Sequence, residues 1–228
     1  MKLSVIIPIY NERATLEEII KRVRAVDPVD KEIILVDDGS FDGTEKILDN
    51  LEENANLKIL RHSHNRGKGA AIITGLTLAQ GDITLIQDAD LEYDPREYPQ
   101  LLEPFEKGPA VQVVYGSRIL KGNARSSFAF YWGGRMLSFI TNFLYNSRVT
   151  DEPTGYKAFR TELLKQLKLE SSGFEFCPEV TAKILLRKIP IHEVPISYSP
   201  RSWVEGKKIH WTDGLRAIKV LLKYRFRE

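Results

Sequence analysis

The stretch "LIQDADLEYDP", Leu85–Pro95, runs from apolar residues straight into Asp88, Asp90, Glu92 and Asp94. Like charges packed that closely destabilise a fold unless water screens them or a positive charge neutralises them. Two readings fit: a solvated acidic turn after a buried strand, or a site for a divalent ion such as Mg²⁺ or Mn²⁺, which prefers hard carboxylate oxygens. Acidic turns are common, so the motif by itself leaves both open.

Working outward, short apolar strands alternate with helical patterns. "KLSVIIPIY" precedes "RATLEEIIKRVRAV", whose Leu16, Ile19, Ile20 and Val23 share one helical face. Thr15 and Glu18 have capping-box spacing, with Asn11 as a competing cap. "KEIILVDD", "LKIL" and "DITLIQDAD" read as further strands, "GTEKILDNLEEN" and "GKGAAIITGLTLAQG" as helices, the latter closed by Gly81. Strands apolar on both faces and alternating with helices predict an α/β fold with a mostly parallel sheet. Right-handed crossovers then put the strand C-termini, where ligands bind, along one rim. That rim collects Tyr10-Asn11-Glu12, Asp37-Asp38-Gly39 and Asp88-Ala89-Asp90. After a fifth strand, "AVQVVYGSR", the alternation fails: an aromatic-rich helix, a loop entering a strand at "TDEPTGYKAF", the helix "FEFCPEVTAKILLRK", an edge-type strand in "IPIHEVPISYSP" and a final amphipathic helix.

With 228 residues, 43% hydrophobic and 28% charged, the chain has the composition of one globular domain. The strand–helix alternation over residues 1–118 and its failure over 119–228 divide that domain into two halves. A net charge of +2 and acids on the ligand rim argue against nucleic acid. Cys177 is the only cysteine, so there is no disulfide framework. No signal peptide and no membrane-spanning run of about 18 apolar residues is expected.

"VDDGSFDGT" is equally an Asp-Gly turn capping a helix and a ligand loop. "HNRGKGAAIITG" lacks phosphate-loop spacing, though a glycine-rich helix start offers N–H groups to an anion. His62 and His64 are assigned to a polar loop without a metal role.

Taken in order, "SVIIPIYNE", "ILVDDGSFDGT", "NRGKGAAIITG" and "DADLEYDP" resemble glycosyltransferase family 2. The resemblance implies the Rossmann-like GT-A fold, with an Asp-x-Asp motif holding a metal against a sugar nucleotide's diphosphate. "YGSR", "GGRMLSFITNFL", "TDEPTGYKAFR", "FEFCPEV" and "PRSWVEGKKIHWTDG" are similar to the polyprenol-phosphate sugar synthases, the group containing dolichyl-phosphate mannose synthase. Those enzymes pass mannose or glucose from GDP or UDP to a polyprenyl or dolichyl phosphate.

The resemblance implies that Pro8, Tyr10 and Glu12 border base and ribose, with Val36 and Asp38 opposite and the Ala89 backbone near the ribose. Asp88 and Asp90 meet metal and diphosphate, with Glu92, where mannose synthases show Gln, as a third carboxylate. Arg118, Arg135 and Ser138 match positions around the acceptor phosphate. Arg201, Lys207 and Lys208 resemble a basic loop closing on the donor. Asp88, Asp90 and Arg118 are the residues expected to carry the chemistry.

A phosphate monoester acceptor, ionised near neutral pH, attacks without a protein base, whereas a sugar hydroxyl needs one. Asp151 and Glu175 are the candidate bases in that case. The apolar stretch Phe128–Tyr145 suits a helix lying at a membrane surface, or one packed into the core or a dimer interface. The expected setting is peripheral, at the cytoplasmic face of the membrane. The rivals are a family-2 transferase acting on a sugar hydroxyl and a non-catalytic nucleotide-binding module.

Overall fold

The computed structural model describes residues 1–27, 29–123, 128–201 and 211–226. Strands β1 (Leu3–Ile9), β2 (Lys31–Asp37), β3 (Leu57–Arg61), β4 (Ile83–Ile86), β5 (Val113–Ser117), β6 (Lys157–Arg160) and β7 (Ile191–Pro195) form one sheet. Their order is β3-β2-β1-β4-β6-β5-β7. β1 pairs in parallel with β2 and β4, β2 with β3, and β5 with β7. β6 runs antiparallel between β4 and β5. The sheet is therefore mostly parallel, and the strand in "TGYKAF" separates β4 from β5. The proline-bearing β7 forms an edge, where a missing N–H costs no ladder bond.

Helices cover both faces, among them α2 (Thr44–Asp49), α4 (Tyr98–Glu106) and α6 (Thr161–Gln166). In α1 (Leu16–Arg24), Leu16, Ile19, Ile20 and Val23 are all buried, each worth about 1.5–3 kcal/mol relative to exposure. The capping box does not form. Thr15 instead donates to Glu12 Oε2 at 3.0 Å, and Arg22 takes Glu18 at 2.7 Å. Asn11 is no cap either: its side chain accepts from Phe41 N at 3.0 Å, tying the ends of β1 and β2 together.

Helix α3 (Lys68–Leu76) ends before Gly81, and its start is not open to an anion. Gly69 N and Ala70 N donate to Gly173 O and Ser172 O at 3.2 and 2.9 Å. Arg66 N and Gly67 N donate to Asp38 at 2.9 and 2.7 Å. Gly67 has φ +99°, and a Cβ there would stand 2.5 Å from Ser172 O, so glycine is what lets the 171–173 segment lie on this helix.

Beyond β5, α5 (Phe128–Tyr145), α7 (Phe176–Leu186) and α8 (Trp211–Phe226) share a small core of Leu137, Ala182, Ala217 and Leu221. One face of α5 packs there. Trp132, Met136, Phe139 and Phe143 form an outward stripe, 53, 55, 70 and 81% exposed. Among the described residues no helix is long and apolar enough to cross a membrane.

Candidate donor and acceptor site

The carboxylates at the end of β4 leave a rigid base. Gln87, fully buried, accepts from Tyr98 Oη and Tyr156 Oη at 2.9 Å each. Asp88 then pairs with Lys68 at the start of α3. Burial opposes the Lys68 charge, but Asp88 overrides it and holds the ammonium above its ordinary range. Gly155 lies against Asp88 so closely that a Cβ there would collide with Oδ2.

Asp90 faces Arg201, whose Nη2 lies 3.1 Å from Oδ2. The same guanidinium reaches both Glu12 oxygens, at 3.0 and 3.1 Å. Burial, then the charges of Asp88 and Glu92, push the Asp90 carboxyl up to about 7. A carboxylate so strained toward neutrality gains from added positive charge. Two hard-oxygen donors two residues apart fit Mg²⁺ or Mn²⁺, which take one or two protein carboxylates and leave the rest of the shell to phosphate and water.

Glu92 is not brought into that pair. Its Oε2 accepts from Tyr198 Oη at 2.9 Å and its Oε1 from Arg201 N at 2.8 Å. Among the described residues no three Asp, Glu, His or Cys side chains gather as a metal cage.

Just after β1, Tyr10 meets Phe41 edge to face at 6.2 Å on the rim. Pro8 stands in β1, paired with Val36 of β2. Val36 and Ala89 are buried, and Val36 stands in the sheet between Pro8 of β1 and Leu60 of β3. The Asp38 carboxylate is already used by Arg66 N, Gly67 N and His62 Nδ1, the last at 2.6 Å. It fastens the loop before α3, and His62, bonded also to Thr74 at 2.9 Å, belongs to that fastening.

Toward the second half, Arg118 grips Asp151 through Nε and Nη2, both at 2.7 Å. Burial works against both charges, yet each partner stabilises the other: Arg118 is held well above its ordinary range and Asp151 below its own. Arg118 also lies over the Tyr198 ring at 5.0 Å. Arg135 reaches Thr150 O at 3.3 Å. Ser138 is buried, donates to Gly134 O at 3.1 Å and accepts from Glu152 N at 3.0 Å, so its hydroxyl braces the 151–152 turn. Lys207 and Lys208 lie outside the described residues.

The structure thus gathers Glu12, Asp88, Asp90, Arg118 and Arg201 around one rim and adds Lys68, Tyr198 and Asp151 to them. Lys68 stands in plain view in "NRGKG", but its pairing with Asp88, 20 residues on, does not show in the sequence. A cleft of about 650 Å³ at the opposite end of the sheet, lined by Arg24, Lys31 and Leu57, shares none of these groups.

Known proteins resemble the chain over most of its length. A dolichol-phosphate mannosyltransferase from Pyrococcus furiosus is 34% identical over 98% of the chain, which spans 64% of that relative's length. A polyprenol monophosphomannose synthase from Mycolicibacterium smegmatis is 32% identical over 86% of the chain and 77% of its own length. A UDP-N-acetylglucosamine–dolichyl-phosphate N-acetylglucosaminyltransferase from Methanococcus voltae is 33% identical over 90% of the chain and 89% of its own. Among solved structures, glucosyl-3-phosphoglycerate synthase from Mycobacterium tuberculosis with UDP superposes with a TM-score of 0.76 at 22% identity, covering 98% of this chain and 80% of that one. That likeness shows the GT-A fold. The sequence profile of glycosyl transferase family 2 matches residues 4–168, and with these relatives it places the chain in that family.

Proposed function

We propose that the chain moves a hexose, mannose or glucose, from GDP or UDP to a polyprenyl phosphate, inverting the anomeric centre, with Mg²⁺ or Mn²⁺ held by Asp88 and Asp90. The bound ion would offset charge on the departing diphosphate. Lys68 and Arg201 place two further cations at the same spot, where developing negative charge is most strongly stabilised by preorganised groups. The observation that carries the choice of acceptor is the Arg118–Asp151 pair. Asp151 is committed to a guanidinium and held below its usual range, which makes it a poor base for a hydroxyl. A phosphate acceptor needs no base, and Arg118 at Asp151 and Arg135 at Thr150 put two cations on that side of the site.

The test is direct. The protein is incubated with radiolabelled GDP-mannose and UDP-glucose separately, with Mn²⁺ and a polyprenyl phosphate. Label passing into the organic phase supports the reading and identifies the donor. Label remaining aqueous with both donors, or appearing on a sugar hydroxyl instead, overturns it.

The outward stripe of α5 supports work at a membrane surface as a peripheral protein, and the face we propose is the cytoplasmic one. Trp132, Met136, Phe139 and Phe143 recur at helical spacing, and burying each large apolar side chain is worth about 1.5–3 kcal/mol. The chain is expected to co-sediment with anionic vesicles, and Phe139→Ser with Phe143→Ser to weaken binding by at least about tenfold. Equal sedimentation of the double variant would remove the stripe from the membrane contact.

A further inference from the structure

Asp90, Leu91 and Glu92 make a tight turn in which Leu91 has φ +63°, a left-handed conformation that a branched side chain adopts only at a cost. The turn is closed by Glu92 N donating to Asp90 Oδ1 at 3.1 Å. Its consequence is directional: the Glu92 carboxylate, still close enough for its charge to act on Asp90, meets residues 197–201, which cross the rim from the end of β7. Three bonds join them. Tyr198 Oη and Arg201 N donate to the carboxylate at 2.9 and 2.8 Å, and Ser199 N donates to Glu92 O at 3.0 Å. The far end of the same segment is held by Ser197 N on Glu97 and Tyr198 N on Asn123, at 2.9 and 3.1 Å.

The segment carries a side chain to each half of the site. Arg201 extends to Glu12 and Asp90, and the Tyr198 ring lies under Arg118. We infer that Glu92 is a positioning residue, a latch that holds residues 197–201 across the rim so that Arg201 stands on the donor carboxylates while Tyr198 braces Arg118. This rests on the donor and acceptor assignments proposed above, and it replaces the metal-ligand role expected for Glu92. Each oxygen of that carboxylate accepts one bond from the strap, and a hydrogen bond to a charged group is among the stronger ones a protein makes.

The latch is tested on the full chain by amide hydrogen exchange without metal or nucleotide, where its failure is separable from failure of the proposed activity. In Glu92→Ala the Ser199 and Arg201 amides should exchange roughly tenfold faster or more, with the β1 and β4 amides unchanged. Tyr198→Phe removes one of the three bonds and leaves the carboxylate in place; faster exchange at Arg201 is expected there too. This variant decides the matter should Glu92→Ala loosen the whole fold. A second measurement, Mn²⁺ binding by paramagnetic resonance with GDP or UDP present, should be nearly unchanged in Glu92→Ala and lost in Asp90→Asn. Unaltered exchange at both amides in the folded variants, or loss of Mn²⁺ binding in Glu92→Ala equal to that in Asp90→Asn, overturns the inference. If no variant, wild type included, binds Mn²⁺ or nucleotide, the proposed activity falls while the exchange result still judges the latch.

Discussion

Asp90→Asn is expected to lower sugar transfer by at least about a hundredfold, the scale of losing a preorganised electrostatic group, while leaving the melting temperature near that of the wild type. The two outcomes follow from the same environment. Asp90 is crowded by Asp88 and Glu92, so removing its charge relieves repulsion, and Arg201 keeps Glu12 as a bidentate partner. Stability therefore changes little, and the loss falls on chemistry, because the neutral amide is a far weaker ligand for a divalent ion than a carboxylate. Asp88→Asn differs in one respect: it strands Lys68 beside a neutral amide, so it should lower stability as well. Single-turnover transfer of labelled sugar, with a thermal melt of each variant, separates these effects. Full activity in Asp90→Asn would remove the carboxylate pair from the reaction.

The rim carboxylates were legible because β1, β2 and β4 are short, apolar on both faces and followed by helices, so topology alone sends Glu12, Asp38, Asp88 and Asp90 to one edge. What local pattern does not carry is which groups meet from far along the chain. The glycine-rich start of α3 offers N–H groups to an anion in sequence, yet Ser172 and Gly173, about a hundred residues later, accept from those of Gly69 and Ala70. Asp38 has the position of a ligand residue and the job of a fastener, which becomes visible only once the amides of residues 66 and 67 are placed beside it. Glu92 has the spacing of a third metal ligand, but spacing is silent about the left-handed Leu91 that turns it toward the strap. For α5 the composition admitted both core and surface because the helix is apolar nearly all round. The structure divides it, with Leu137 packed inward against the neighbouring helices and Phe143 turned outward.

Arg118→Ala should be the most destabilising of the single changes at the site, by about 3 kcal/mol or more. Its partner Asp151 is 3% exposed, and deleting one member of a buried ion pair leaves the other charge without compensation. The pH dependence has a definite sign. Asp151 titrates below its ordinary value in the folded chain, so the pair's stabilisation is full above the usual carboxylate range and is lost as pH falls through the depressed value. In Arg118→Ala that stretch of the acid denaturation curve should flatten, since protonating Asp151 then relieves a penalty. A loss of activity in Arg118→Ala alone would consequently mix unfolding with acceptor binding. The double variant Arg118→Met with Asp151→Asn separates them: replacing both charges by neutral groups of similar size is expected to restore most of the stability. That protein should still bind the sugar nucleotide, through Asp88, Asp90 and Arg201, and fail to transfer to polyprenyl phosphate. Recovery of transfer together with stability would show that Arg118 serves the fold and that the acceptor phosphate is met elsewhere.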